Sequence, residues 1–130
     1  MTAASAPDNC KGKRVLVVED EAMIAMQIEY ELRDIGIEVI GPAPTVRSAL
    51  ALLEHQPVDA AVLDFRLGNE TSIPIATALV DRKAPFVFMT GYSRSDLPSE
   101  WRQYVCLQKP ILLQELIATL AGIMKRTECA

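Results

Sequence analysis

Short apolar runs alternate along the chain with longer stretches whose apolar residues recur every three or four positions. The runs are Arg14-Val15-Leu16-Val17-Val18, Ile37 to Ile40, Ala60-Ala61-Val62-Leu63-Asp64, Pro85 to Met89, and Tyr104 to Leu107. An unbroken apolar run of this length suits a strand buried on both faces, as in a parallel sheet. The stretches between them predict amphipathic helices. The first carries Ile24, Ile28, Leu32 and Ile35 on one stripe and ends at Gly36, where a C-terminus favours a residue able to take positive φ. Gly41-Pro42 closes the second strand, and Thr45 is placed to N-cap a helix that turns Val46, Ala49, Leu50 and Leu53 inward until Pro57 stops it. Gly68 to Ser72 reads as a loop. Pro74 suits the first turn of a third helix burying Ile75, Ala78 and Leu79. From Ser93 to Arg102 the pattern weakens around Pro98 and Trp101, so any helix there is short or interrupted. Leu113, Leu116, Ile117, Leu120 and Met124 restore clean helical spacing to the end.

Strands alternating with helices predict an α/β fold, a doubly wound five-stranded parallel sheet with helices on both faces. The common order for five strands is the flavodoxin-like 2-1-3-4-5, with its crevice between the first and third strands. That order sets the acids after Val18 beside Asp64, and puts Thr90 and Lys109 at the next strand ends. Residues 1–13 are small and polar and are expected to form a loose tail, residues 14–126 the folded domain and 127–130 a second tail, with no output domain.

Composition narrows the picture. The length of 130 residues fits one domain with a real core. A net charge of −4 without a basic cluster argues against nucleic-acid binding. Cys10, Cys106 and Cys129 are too scattered for a disulfide framework or a zinc site, so reduced thiols in a cytoplasmic protein are expected. No apolar run approaches the roughly 20 residues that span a bilayer, and no membrane association is expected. His55 reads as a surface residue, Trp101 as a packing anchor and Cys106 as a small buried apolar residue.

The chemistry gathers on Asp64. Three carboxylates meeting at one sheet edge repel, and the remedies are proton uptake or a hard cation. Glu19, Asp20 and Asp64 make an all-oxygen set suited to Mg²⁺, which keeps waters and leaves room for a phosphate. Glu21 reads mostly as helix-start charge. A carboxylate beside such an ion can attack phosphorus and form an acyl phosphate. Lys109 then offers a positive charge and Thr90 a hydroxyl donor for the phosphoryl oxygens.

Val17-Val18-Glu19-Asp20-Glu21, Leu63-Asp64, Thr90-Gly91 and Lys109-Pro110 together resemble the receiver domain of two-component response regulators. The resemblance runs from about Arg14 to Met124. It implies that Asp64 takes a phosphoryl group from a sensor histidine kinase or a histidine phosphotransfer protein. It further implies that Glu19, Asp20 and Asp64 hold Mg²⁺ with the backbone carbonyl of Arg66, and that Thr90 and Lys109 bind the phosphoryl oxygens and pull a switch. Phe88-Met89-Thr90-Gly91-Tyr92 is similar to the Phe-Ala-Thr-Gly-Tyr-type single-domain receivers of alphaproteobacteria, with Met89 in place of Ala. Such proteins act through protein partners, with self-catalysed phosphotransfer and slow autodephosphorylation rather than enzyme turnover.

One departure is Cys106, which occupies the position where most receivers carry a rotating aromatic, and Tyr92 is a candidate to share that switching role. The alternative reading is a receiver-like docking module that works without phosphorylation. A phosphatase with an aspartyl-phosphate intermediate would want a second aspartate two residues past the nucleophile, where this chain has Arg66.

Overall fold

The computed structural model describes residues 10–91 and 97–129. Five strands form one parallel sheet: β1 (Arg14–Val18), β2 (Glu38–Ala43), β3 (Ala60–Asp64), β6 (Phe86–Thr90) and β7 (Cys106–Gln108). Their order is β2-β1-β3-β6-β7, the doubly wound pattern expected from the sequence. Among the described residues, four α-helices flank the sheet: α1 (Ala22–Asp34), α2 (Val46–His55), α3 (Ile73–Asp81) and α4 (Leu113–Cys129).

The alternation of side chains along each strand divides the core in two. Leu16, Val18, Leu63 and Phe88 face one layer, where Ala49 and Leu53 of α2 and Ile75 and Leu79 of α3 cover them. Val15, Val17, Val62 and Val87 face the other, under Ile28 and Leu32 of α1 and Leu116 and Leu120 of α4. Every residue of β3 is buried, which is why its sequence is a plain apolar run and not an alternating one. Thr45 caps α2 as its sequence predicts: its hydroxyl accepts from the Ser48 amide at 3.0 Å, and Ser48 Oγ in turn accepts from the Thr45 amide at 3.2 Å. Gly36 ends the first helical segment at φ 94°.

Several elements depart from the sequence reading. Gly41-Pro42 does not close β2, which runs on to Ala43 through a register shift opposite Leu16 and Val18. Gly41 sits at φ 99°, where a Cβ would stand 2.8 Å from the Ala43 amide nitrogen, so glycine permits a bend within the strand. Because β2 is an edge strand, the missing N–H of Pro42 is tolerated.

The segment read as a loop from Gly68 folds into a small antiparallel hairpin, β4 (Arg66–Leu67) with β5 (Glu70–Thr71). In α3 it is Ala76, not Ala78, that is fully buried with Ile75 and Leu79. In α1, Ala25 joins Ile28 and Leu32 on the buried face, while Ile24 and Ile35 are only partly covered. The last strand is shifted to Cys106–Gln108 because Tyr104 is drawn into a ring cluster with Phe86 and Trp101.

Cys10, placed in the tail by sequence, is fully buried in the α1/α4 layer, and the Gly12 amide donates to the Gly36 carbonyl at 2.8 Å. At the other end α4 continues to Cys129. Between residues 97 and 105 the only helical element is a 3₁₀ turn at Ser99–Trp101, in keeping with the weak pattern there. Trp101 packs against Phe86, Phe88 and Tyr104 as an anchor, and His55 is exposed.

Phe88, fully buried and ringed by Phe65, Phe86 and Trp101, is the most committed packing position on its face. We expect Phe88→Ala to cost about 3–5 kcal/mol and Thr45→Ala only about 1 kcal/mol, measured by urea unfolding. Equal costs would contradict this ranking.

Candidate functional site

The carboxyl ends of the parallel strands carry the site. Glu19 and Asp20 follow directly after β1, Asp64 is the last residue of β3, Thr90 the last of β6, and Lys109 the first beyond β7. Because β1 and β3 are neighbours, the two acid-bearing ends lie side by side. The pairing of β6 with β7 brings Thr90 and Lys109 together, and the Lys109 amide donates to the Thr90 carbonyl at 2.7 Å.

Glu19, Asp20 and Asp64 each offer an oxygen within 4.8 Å of the others'. Glu19 and Asp64 are 2% and 5% exposed, whereas Asp20 is open to solvent. Lys109 Nζ lies 3.0 Å from Asp64 Oδ2 and 3.0 Å from Glu19 Oε1, so one ammonium serves two buried carboxylates. Glu19 Oε2 accepts from the Glu21 amide at 3.1 Å. Glu19 Oε1 is sealed from water and has only the Lys109 charge, without hydrogen-bond geometry. The site opens into a cleft of about 440 Å³ lined by Asp20, Glu21, Asp64, Arg66, Gly68, Thr90, Gly91 and Lys109.

Electrostatics follow from this crowding. Burial, then the adjoining Glu19 carboxyl, pushes the Asp64 pKa up to about 7, with Lys109 opposing. Burial pulls the Lys109 ammonium down, but its pairing with the Asp64 and Glu19 carboxyls outweighs that, so its pKa is raised overall. A buried carboxylate oxygen short of donors, beside two further carboxylates, is a fitting donor set for a hard divalent cation.

Thus the structure brings together Glu19, Asp20, Asp64, Thr90 and Lys109, with Arg66 at the cleft wall. Cys106 lies on β7 opposite Phe88, only partly buried against the aromatic face. Tyr92 lies outside the described residues. Sequence reasoning missed two things. One is the reach of Lys109 to Glu19 as well as Asp64. The other is the Gly68 amide, which donates to Asp20 Oδ2 at 3.0 Å; the Gly68-Asn69 pair was the only available signal.

Residues 15–121 match the family model described as the response regulator receiver domain. The chain belongs to this family. It is 31% identical over 118 residues to the transcriptional regulatory protein PdtaR of Mycobacterium tuberculosis, covering 88% of this chain and 58% of PdtaR. The chain spans about half the length of the curated relatives it matches. Among solved structures, SdrG from Sphingomonas melonis is 38% identical with a TM-score of 0.76, covering 95% of this chain and 99% of SdrG. The response regulator TrrA from Thermotoga maritima, solved in complex with Mg²⁺ and BeF, is 29% identical with a TM-score of 0.74, covering 85% and 98%. Receivers are signalling modules of two-component systems that accept phosphoryl groups and bind Mg²⁺ at an acidic pocket. Among the described residues, no helix is long and apolar enough to cross a membrane.

The charge arrangement has a measurable cost without metal. Unfolded, Asp64 loses its proton near 3.8; folded, it keeps it to about 7. Between these values the folded state binds more protons, so stability falls as pH rises. We expect metal-free Asp64→Asn to exceed the parent chain in stability, by an amount that grows from pH 4 to 7, levels off above, and reaches roughly 1–3 kcal/mol. Mg²⁺ should narrow that gap. Urea titrations across pH check this, and a gap independent of pH would refute it.

Proposed function

We propose that this receiver accepts a phosphoryl group on Asp64 from a sensor histidine kinase or a histidine phosphotransfer protein and passes the signal on by binding protein partners. What carries the reading is the convergence of Asp64, Lys109, Thr90 and the Glu19/Asp20 pair on one open cleft. Asp64 Oδ attacks the donor phosphorus as the P–N bond breaks, and the bonding pair returns to the imidazole. The product is a mixed anhydride on Asp64.

Glu19, Asp20 and Asp64, with the backbone carbonyl of Arg66, would hold Mg²⁺. When bound, the ion neutralises charge on the carboxylates and the incoming phosphoryl oxygens. The chain's own groups supply the rest. Lys109 already stands 3.0 Å from the accepting carboxylate and turns from pairing Asp64 to pairing a phosphoryl oxygen. Thr90, buried at the end of β6, offers its hydroxyl to another. A doubly charged group added here draws both residues inward, and the backbone bond between them shifts the ends of β6 and β7 together.

Thr90, Tyr92 and Cys106 form the switch set in this reading. With a thiol where an aromatic would swing, the change passes through the strand ends more than through a rotating ring. The similarity to SdrG over 95% of this chain supports the receiver reading, whether the domain serves as relay, sink or effector. The likeness to TrrA, solved with Mg²⁺ and BeF, supports the same ion here.

Incubation with acetyl phosphate and Mg²⁺, followed by intact mass, should give a single phosphoryl adduct that decays by itself. It should be absent without Mg²⁺ and in Asp64→Ala, and slower to form in Lys109→Ala. An adduct that persists in Asp64→Ala refutes the site. If partner affinity is the same with and without beryllofluoride, the docking-module reading replaces the phosphoreceiver.

A further inference from the structure

The hairpin between β3 and α3 forms part of the wall of the acidic cleft through Arg66 and Gly68, and the Gly68 amide donates to Asp20 Oδ2 at 3.0 Å. We propose that Gly68 is a positioning residue: its amide holds the Asp20 carboxylate in the orientation from which it takes up a divalent cation. This rests on the reading of Asp20 as a metal ligand given above.

The base of the hairpin is fixed. Leu67 and Phe65 are buried in the core, the Phe65 amide donates to the Met89 carbonyl at 2.8 Å, and the Ser72 amide to the Phe65 carbonyl at 2.9 Å. Two cross-strand pairs, Arg66 with Thr71 and Leu67 with Glu70, leave Gly68-Asn69 as a two-residue turn. The tip is therefore aimed by a short, anchored lever.

Asp20 needs such an aim more than the other two acids do. Glu19 and Asp64 are walled in by the sheet and by Lys109, whereas Asp20 is exposed and would otherwise sample several rotamers. Fixing one oxygen on an N–H restricts the rotamers of a carboxylate that has an oxygen within 4.8 Å of those of Glu19 and Asp64. Groups that orient a ligand in this way commonly contribute ten- to hundred-fold to metal affinity.

Gly68 has φ 64°, and a Cβ added there meets nothing within 4 Å. Substitution thus acts on backbone conformation and not through a clash. Turns of this kind accept Asn, while a β-branched residue resists positive φ. The linkage is reciprocal, so the ion should in turn steady the tip.

The test is titration of the full chain with MgCl₂ well below its unfolding temperature, followed by amide NMR, for the parent chain, Gly68→Asn and Gly68→Val. The expected order is a dissociation constant within about two-fold for Gly68→Asn and raised about ten-fold for Gly68→Val, with slower exchange of the Gly68 amide once Mg²⁺ is bound. A purely structural role would lower the unfolding temperature of Gly68→Val while leaving Mg²⁺ affinity untouched, and would overturn the proposal. So would an unchanged Gly68 exchange rate. If the parent chain binds no Mg²⁺ at all, it is the metal-site reading itself that fails.

Discussion

Two buried carboxylates held side by side by a single ammonium are the constraint on which the rest of this structure turns. Glu19 and Asp64 are almost wholly out of water, and Lys109 is 3.0 Å from each. Left alone, such a pair is unstable, and protonation of Asp64 near neutral pH is one outlet. The other outlet is a second cation. One positive charge cannot satisfy two anions with a third acid at the rim, so the site keeps an unmet demand for positive charge. The core has to be rigid enough to hold this arrangement. The strands that carry the acids, β1 and β3, are central in the sheet and buried on both faces, which denies the carboxylates room to move apart.

Most of that arrangement can be read from the chain itself. A parallel strand buried on both sides must be an apolar run, so a lone aspartate ending one is conspicuous, and Ala60–Asp64 shows this. The common doubly wound order for five such strands then puts Glu19 next to Asp64. What sequence could not convey depends on partners far along the chain. Gly41-Pro42 looks like a strand end because both residues punctuate locally, yet the strand continues, since its neighbour β1 offers pairing on the far side of the bend. Glu70–Thr71 has no periodicity to detect, because a strand of two residues is too short to show one. Cys10 is one apolar residue in a polar stretch, and only the layer between α1 and α4 reveals why it is buried. Lys109 could be assigned to the site by position, but not its double role, which is a matter of distances.

The aromatic residues are distributed in a way that bears on signalling. Phe65, Phe86, Phe88, Trp101 and Tyr104 form one connected cluster on the face covered by α2 and α3, reaching the 3₁₀ turn at Ser99–Trp101. Cys106 lies beside that cluster on β7, opposite Phe88. A thiol there is too small to act as a lever. Phe88 and Trp101 pack edge to face there at 6.1 Å.

In the phosphoreceiver reading, a signal leaving Asp64 would travel through parts of the molecule that have somewhere else to go. A switch needs an element with two arrangements of similar free energy, which a densely packed core does not offer. Two places around the cleft are built from strands of only two or three residues. One is the junction of β6 and β7, where a three-residue strand is held to its neighbour by few bonds and ends on Lys109. The other is the hairpin at Gly68, anchored at its base but tied at its tip by a single hydrogen bond to Asp20. Both contact the acids directly, so charge added at Asp64 changes their surroundings first. In that reading Lys109 and Asp20 belong at once to the proposed site and to the contacts of these two elements, so chemistry and response would be coupled at the sheet edge.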